Sequence, residues 1–298
     1  MFSFTLYRTS PMRYIILLIF VMIINSAKAF VEVNGCHFLY RNQPWRPVGV
    51  NLTQEQCSES VFDTLASFGW NSICVSPTTP KQLKRFVKYA KDKKLKICVV
   101  LTKEFPIEAI KQFRNSSQIW AWNVIDIEQA KSVRALSPNH LITISLPPNL
   151  EFLDLAITTS NIDFISIELT PYELGWVHST SLYLGLRNCY MKSSKLLQHV
   201  SQRMAVVQKP IVISKCSYPR DKMFRLPESS TSLRDSYFDF IINFTFPNSN
   251  MQLGGFFFNK WEELPREEEE ALKTPMSMYY TDSLTQQVLF KTNRLNGK

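Results

Sequence analysis

The feature that most constrains this chain is an alternation repeated along most of its length: a short, almost wholly apolar run, then a stretch with helical spacing. "RPVGVN" at 46–51 leads into 55–68, and "NSICVS" at 71–76 leads into a basic stretch from Pro80. "KICVVL" at 96–101 precedes 106–113, "WAWNVID" at 120–126 precedes 128–136, and "HLITIS" at 140–145 precedes 150–157. "DFISIEL" at 163–169 is followed by a long loop and a helical stretch at 193–207, "PIVIS" at 210–214 by 232–242, and "GGFFFN" at 254–259 by 283–295. Runs that are apolar at both odd and even positions mark strands buried on both faces, as in parallel sheets. Eight such units in a chain of 298 residues predict an α/β fold, a (β/α)8 TIM barrel rather than a doubly wound sheet.

Ahead of the first unit, "FVEVNGCHFLYRNQPW" alternates differently around Asn34-Gly35, which predicts a short N-terminal β-hairpin closing the bottom of the barrel. Residues 1–29 have another character. Arg8 and Arg13 precede the apolar run 14–24, and "SAKA" at 26–29 follows, the order of a secretory signal with its cleavage site. The run falls short of the roughly 20 residues a bilayer span needs, although a single-pass anchor is the rival reading. We expect a signal peptide over 1–29, one domain over 30–298, and a secreted, extracellular product with no membrane attachment after signal removal.

The formal charge is +9, of which Arg8, Arg13 and Lys28 supply three, leaving about +6 on the mature chain. Its cations are scattered. In "KQLKRFVKYAKDKKLK" the apolar positions Leu83, Phe86, Val87 and Ala90 recur at helical spacing, so the lysines read as a solvated face. Nucleic-acid binding would need a denser basic patch interleaved with aromatics. The acidic run at 267–270 suits the first turn of an exposed helix.

Six cysteines, Cys36, Cys57, Cys74, Cys98, Cys189 and Cys216, allow 15 disulfide pairings that the sequence does not choose among. None has zinc spacing, so no metal and no cofactor is expected. Sequons at Asn51, Asn115 and Asn243 fit the secretory route and a glycoprotein. Chemistry in such a barrel sits where strands end, which selects Asn51, Cys74, Asp126 with Ile127, Glu168, Lys215 and Asn259. Lys215 is the unusual member, a cation delivered by the buried strand of "KPIVISKCS".

Several stretches resemble glycoside hydrolase family 5, in particular its endo-β-1,4-mannanases: "FVEVNGCHFLYRNQPWRPVGVN", "SVRALSPNHLITIS", "IDFISIELTPYELGW", "KPIVISKCS", "RDSYFDFI" and "GGFFFN". The likeness covers nearly the whole mature chain in order, at scaffold positions. It implies a retaining hydrolase with an acid/base and a nucleophile, two carboxylates about 5–5.5 Å apart. In the resemblance Trp122 keeps the family's tryptophan, Asp126 takes the asparagine before the acid/base, Ile127 the acid/base glutamate, and Lys215 the nucleophile. Cys74 stands for an arginine, Glu168 and Thr170 for a histidine and a tyrosine, and Asn259 for a tryptophan platform, while Pro171 and Trp176 persist.

Isoleucine cannot move a proton, and a protonated lysine repels an oxocarbenium-like transition state. The resemblance therefore implies a mannanase-like pseudoenzyme with no catalytic residue in place. Asp126, Glu168 and Trp176 are its candidate substrate-binding residues, and a β-mannan-type polysaccharide or a protein is its expected partner, with no nucleic acid; a monomer is expected. Trp122 and Tyr172 offer further rings, with core packing as the alternative. Asp126 and Glu168 suit ion pairing with Lys215. A second reading makes the same two acids a displaced acid–base pair of an active glycosidase on mannan-type polysaccharide. A third closes the cleft altogether, with a glycan on Asn51.

Overall fold

The computed structural model describes residues 30–147, 152–245, 253–262 and 274–279, together with 281, 282, 285, 287 and 288. Residues 1–29, expected to be a signal peptide, the acidic run at 267–270 and most of the helix expected at 283–295 lie outside the described residues. The chain opens with three strands, β1 (Val31–Asn34), β2 (His37–Tyr40) and β3 (Gln43–Trp45), in one antiparallel sheet. The expected hairpin is present and gains β3. Both turns are two-residue loops: Gly35 takes φ +58°, and Arg41 and Asn42 take φ 54° and 60°, the left-handed conformations that such tight connections require.

Eight strands then close a parallel barrel in chain order: β4 (Val48–Leu52), β5 (Ser72–Val75), β6 (Lys96–Val100), β7 (Ile119–Val124), β8 (Leu141–Leu146), β9 (Phe164–Leu169), β10 (Ile211–Cys216) and β11 (Leu253–Phe258), with β11 paired back to β4. Gly49 is needed at the β4–β5 seam, because a Cβ there would lie 1.7 Å from the carbonyl oxygen of Ser72.

Side-chain alternation sorts the strand residues into two cores. Ile73, Val75, Ile97, Val99, Ile211 and Ile213 point outward against the helices. Cys74, Cys98 and Val212 point inward, above an aromatic plug of Phe38, Trp120 and Phe164. Phe38 meets Trp120 and Phe164 edge to face, at 5.4 and 5.1 Å between centroids. The N-terminal sheet thus seals the strand-entry end, which leaves the opposite end as the mouth.

The helices follow the sequence signals with three differences. Helix α1 (Glu59–Ser67) is capped by Ser58, and α2 (Pro80–Asp92) starts with a Thr79/Gln82 capping box and a proline in its first turn. In α2, Leu83, Phe86 and Ala90 are buried and Lys81, Lys84, Lys88 and Lys91 are exposed, the solvated basic face anticipated above. The stretch expected as a helix at 106–113 is a 3₁₀ helix, Ile107–Phe113. After α3 (Ile127–Leu136) comes α4 (Leu153–Thr158), shorter than expected within the described residues. Helix α5 (Leu182–Val207) begins eleven residues before 193, in what reads in sequence as a loop. Tyr218 holds that early turn by donating its hydroxyl proton to the Leu182 carbonyl at 2.8 Å. Helix α6 (Ser232–Thr245) completes the described ring.

All six cysteines are buried and free. No helix among the described residues is long and apolar enough to cross a membrane.

Candidate functional site

At the mouth, the strand ends surround a cavity of about 200 Å³, with side chains from Asn51, Cys74, Asn123, Ser145, Glu168 and Lys215 in its wall. Each comes from a different strand, β4, β5, β7, β8, β9 and β10 respectively, and near its exit. Ser214 and Lys215 both line it, although consecutive residues of a regular strand face opposite ways. The register of β10 against β9 slips between Ile213 and Lys215, and this irregularity lets neighbouring side chains share one face.

The polar wall is internally bonded. Asn51 spends both protons of its Nδ2 on backbone carbonyls, Ser214 at 2.6 Å and Phe258 at 3.1 Å. Asn123 Nδ2 donates to Ser145 Oγ at 2.7 Å, Ser145 and Ser214 share a hydroxyl contact at 3.4 Å, and Ser214 Oγ donates to the Ile167 carbonyl. Lys215 Nζ lies 2.8 Å from Glu168 Oε1. Burial pushes the Cys74 thiol well above its ordinary value, reinforced by a hydrogen bond with Cys98 and only partly opposed by Lys215. A thiol held protonated is a poor nucleophile.

Of the residues selected from the sequence, the structure gathers Asn51, Cys74, Glu168 and Lys215 around one cavity. The others stand apart from that wall. Asp126 is the N-cap of α3: its Oδ1 accepts from the Gln129 amide at 2.7 Å, and Gln129 Oε1 accepts from the Ile125 amide at 2.8 Å. Ile127 is the first residue of that helix, and of Ile125, Asp126 and Ile127 it is Ile125 that lines the cavity. The pairing of Lys215 falls to Glu168.

The aromatic candidates are engaged elsewhere. Trp122 is fully buried on the outer face of β7, its indole N–H donating to Ser137 Oγ at 3.3 Å. Tyr172 and Trp176 are half-buried against the core between strands and helices. The Lys192 ammonium lies 5.7 Å from the Trp176 ring centroid. Asn259 is buried, with its backbone N–H donating to the Cys216 carbonyl.

His140 lies on the strand-entry side of β8, away from the cavity. Its Nε2 donates to the Ser116 carbonyl and its Nδ1 accepts from Ser137, so burial keeps it neutral, with a pKa lowered to about 4.

Asn123, Ser145, Ser214 and Ile125 are wall residues outside the strand-end candidates, although Ser145 and Ser214 close two of the runs read as strands. For Asn123, Ser145 and Ser214 the signal was a polar residue near the end of an apolar strand, in "AWNV", "TISL" and "VISK", whereas Ile125 carried none.

Chemically, the wall offers amides, hydroxyls and one ion pair. Retaining glycoside hydrolysis needs two carboxyl groups about 5–5.5 Å apart. Among the described residues lining this cavity there is one, Glu168, and it is bound to an ammonium. No group of three or more metal-ligating side chains occurs among the described residues.

The pattern of the glycoside hydrolase family 5 β-mannosidase-like family matches residues 84–276. Among solved structures, the chain is similar to the glycoside hydrolase family 5 mannosidase of Rhizomucor miehei, with a TM-score of 0.74, 14% identity, and coverage of 90% of this chain and 98% of that one. It is also similar to the endo-1,4-β-mannanase of Eisenia fetida, with a TM-score of 0.56, 11% identity, and coverage of 90% and 96%. A β-glucuronidase of Ruminococcus gnavus gives a TM-score of 0.64 at 11% identity, over 88% of this chain and 52% of that one. At these identities the likeness is one of fold. No curated protein matches the chain.

Proposed function

The chain belongs to the glycoside hydrolase family 5 β-mannosidase-like family, and from that premise we propose that it is a secreted member that has lost hydrolysis and retains carbohydrate binding at the barrel mouth. One observation carries this reading: the end of the seventh barrel strand holds Lys215, tied to Glu168 at 2.8 Å. In the resemblance set out above, that is the position of the nucleophile. A cation there cannot attack an anomeric carbon, and it opposes the positive charge that develops on the sugar.

The acid/base is missing on either of two registers. The resemblance assigns it to Ile127, and the cavity wall contains Ile125. Neither side chain can protonate a leaving oxygen, a step worth about 10²–10⁴-fold by itself. Asp126 capping α3 and Glu168 bound to Lys215 favour this inactive reading over a displaced acid–base pair.

The retained task is recognition of a β-mannan-type chain. Amides and hydroxyls of Asn123, Ser145 and Ser214 suit sugar hydroxyls. The cavity of about 200 Å³ is smaller than the roughly 300–1,000 Å³ of ordinary ligand pockets, so it would take one sugar unit while the rest of the chain lies on the rim.

The test is hydrolysis of mannan and of an aryl β-mannoside by the purified protein, beside calorimetric titration with mannooligosaccharides. We expect heat of binding without turnover. A rate abolished by Asp126→Asn or Glu168→Gln would overturn the inactive reading, and absence of binding would remove the carbohydrate.

A further inference from the structure

The three sequons occupy different places in the fold. Asn51 sits near the exit of β4, inside the mouth. Asn115 is exposed in the turn between the 3₁₀ helix Ile107–Phe113 and β7, at the strand-entry end. Asn243 is exposed on α6, where its Nδ2 donates to Asp239 at 2.8 Å.

N-glycosylation bonds the asparagine amide nitrogen to the anomeric carbon of an oligosaccharide carried on a lipid diphosphate. The sugar–phosphate bond breaks, the diphosphate leaves with the bonding pair, and the amide gives up one proton. The product nitrogen keeps one proton and carries a bulky group. At Asn51 both protons of that nitrogen are committed to backbone carbonyls of β10 and β11, at 2.6 and 3.1 Å. Turning the amide over would set its carbonyl oxygen against two carbonyl oxygens, acceptor against acceptor. A sugar on this nitrogen therefore has to displace at least one of these two contacts and find room between β4 and the ends of β10 and β11. At Asn243 the same change costs one exposed hydrogen bond, and at Asn115 the side chain already faces solvent.

We propose that Asn115 and Asn243 are the glycan acceptors of this protein and that the Asn51 sequon is silent, which keeps the barrel mouth free of its own glycans. The inference rests on the secretory reading above, so the test separates the two.

The full chain is secreted from a eukaryotic host in two forms, one behind its own first 29 residues and one behind a heterologous leader. Each is released with peptide-N-glycosidase in heavy-oxygen water and mapped by peptide mass spectrometry. The expected result in the heterologous-leader form is the heavy aspartate label at Asn115 and Asn243 and none at Asn51. Asn115→Gln with Asn243→Gln should then abolish the glycan mass shift, and Asn51→Gln should leave it unchanged. Label at Asn51 in folded, secreted protein, or none at Asn115 and Asn243, overturns the proposal. Retention of the native-leader form inside the cell, with the heterologous form labelled as expected, overturns the secretory reading alone.

Discussion

Lys215 and Glu168 are register partners on adjacent barrel strands, β10 and β9, and their side chains close an ion pair of 2.8 Å in the wall of the mouth. The two side chains keep 39% and 28% of their exposure, so water still screens them. The pair therefore neutralises the mouth more than it holds the barrel together.

A double-mutant cycle of Lys215→Met and Glu168→Gln should give a coupling of about 1 kcal/mol or less, as for other partly exposed pairs. Thermal melts of the four proteins would read this as shifts of a few degrees at most. A coupling well above that would mean that the pair is a structural keystone of the barrel.

Restoring both carboxylates should restore some turnover. Of Ile125, Asp126 and Ile127 it is Ile125 that lines the cavity, so Lys215→Glu with Ile125→Glu should exceed either single variant by at least ~10²-fold on an aryl β-mannoside. The paired comparison is Lys215→Glu with Ile127→Glu. Higher activity in that protein would show that the register of the family resemblance, rather than the present cavity wall, locates the acid/base.

Acid should destabilise the fold through His140. Its pKa falls from about 6.5 to about 4 on burial, with Lys96 and Arg134 pushing the same way. Between those values the unfolded chain binds more protons than the folded one. This contribution is therefore complete above pH ~6.5 and is lost as pH falls toward ~4, by at most about 1.4 kcal/mol per pH unit. Urea titrations at several pH values should show that slope, and His140→Gln should flatten it while lowering stability at neutral pH.

A buried charge cluster should matter far more than any surface pair. Arg220 donates twice to Asp282 at 2.6 Å, and Arg234 donates to the same carboxylate at 2.8 Å, with all three side chains almost wholly buried. Both arginines also donate to the Ser277 carbonyl, so the cluster fastens Ser277 and Asp282 to α6 and the loop after β10. Asp282→Ala strands two buried guanidinium groups and should cost about 3–5 kcal/mol. Asp154→Ala, which removes the exposed partner of Arg203, should cost about 1 kcal/mol or less. Denaturant midpoints of the two variants would decide it.

The order and position of the barrel strands were legible because a strand buried on both faces leaves a continuous apolar run. The early turns of α5 were not. Tyr183 and Leu184 are large apolar residues exposed by 77% and 79%, so they fall on the wrong face and blur the helical period between Leu182 and Cys189. Asp126 is a residue with two readings. A carboxylate at a strand end reads as chemistry, yet the same residue before an apolar helical stretch is a good N-cap, and the cap is what forms.

The sequence by itself determined the parallel barrel, the polar or apolar nature of each strand end, and the presence of Lys215 at the exit of the seventh strand. All of these depend on local composition and period. Only the tertiary structure decided that Lys215 binds Glu168 rather than Asp126, that Ser214 and Lys215 share one wall, and that Asn51 spends its amide inside the barrel. Those outcomes depend on strand register and barrel closure, which bring together residues as far apart as Asn51 and Phe258, and no local pattern encodes a register slip.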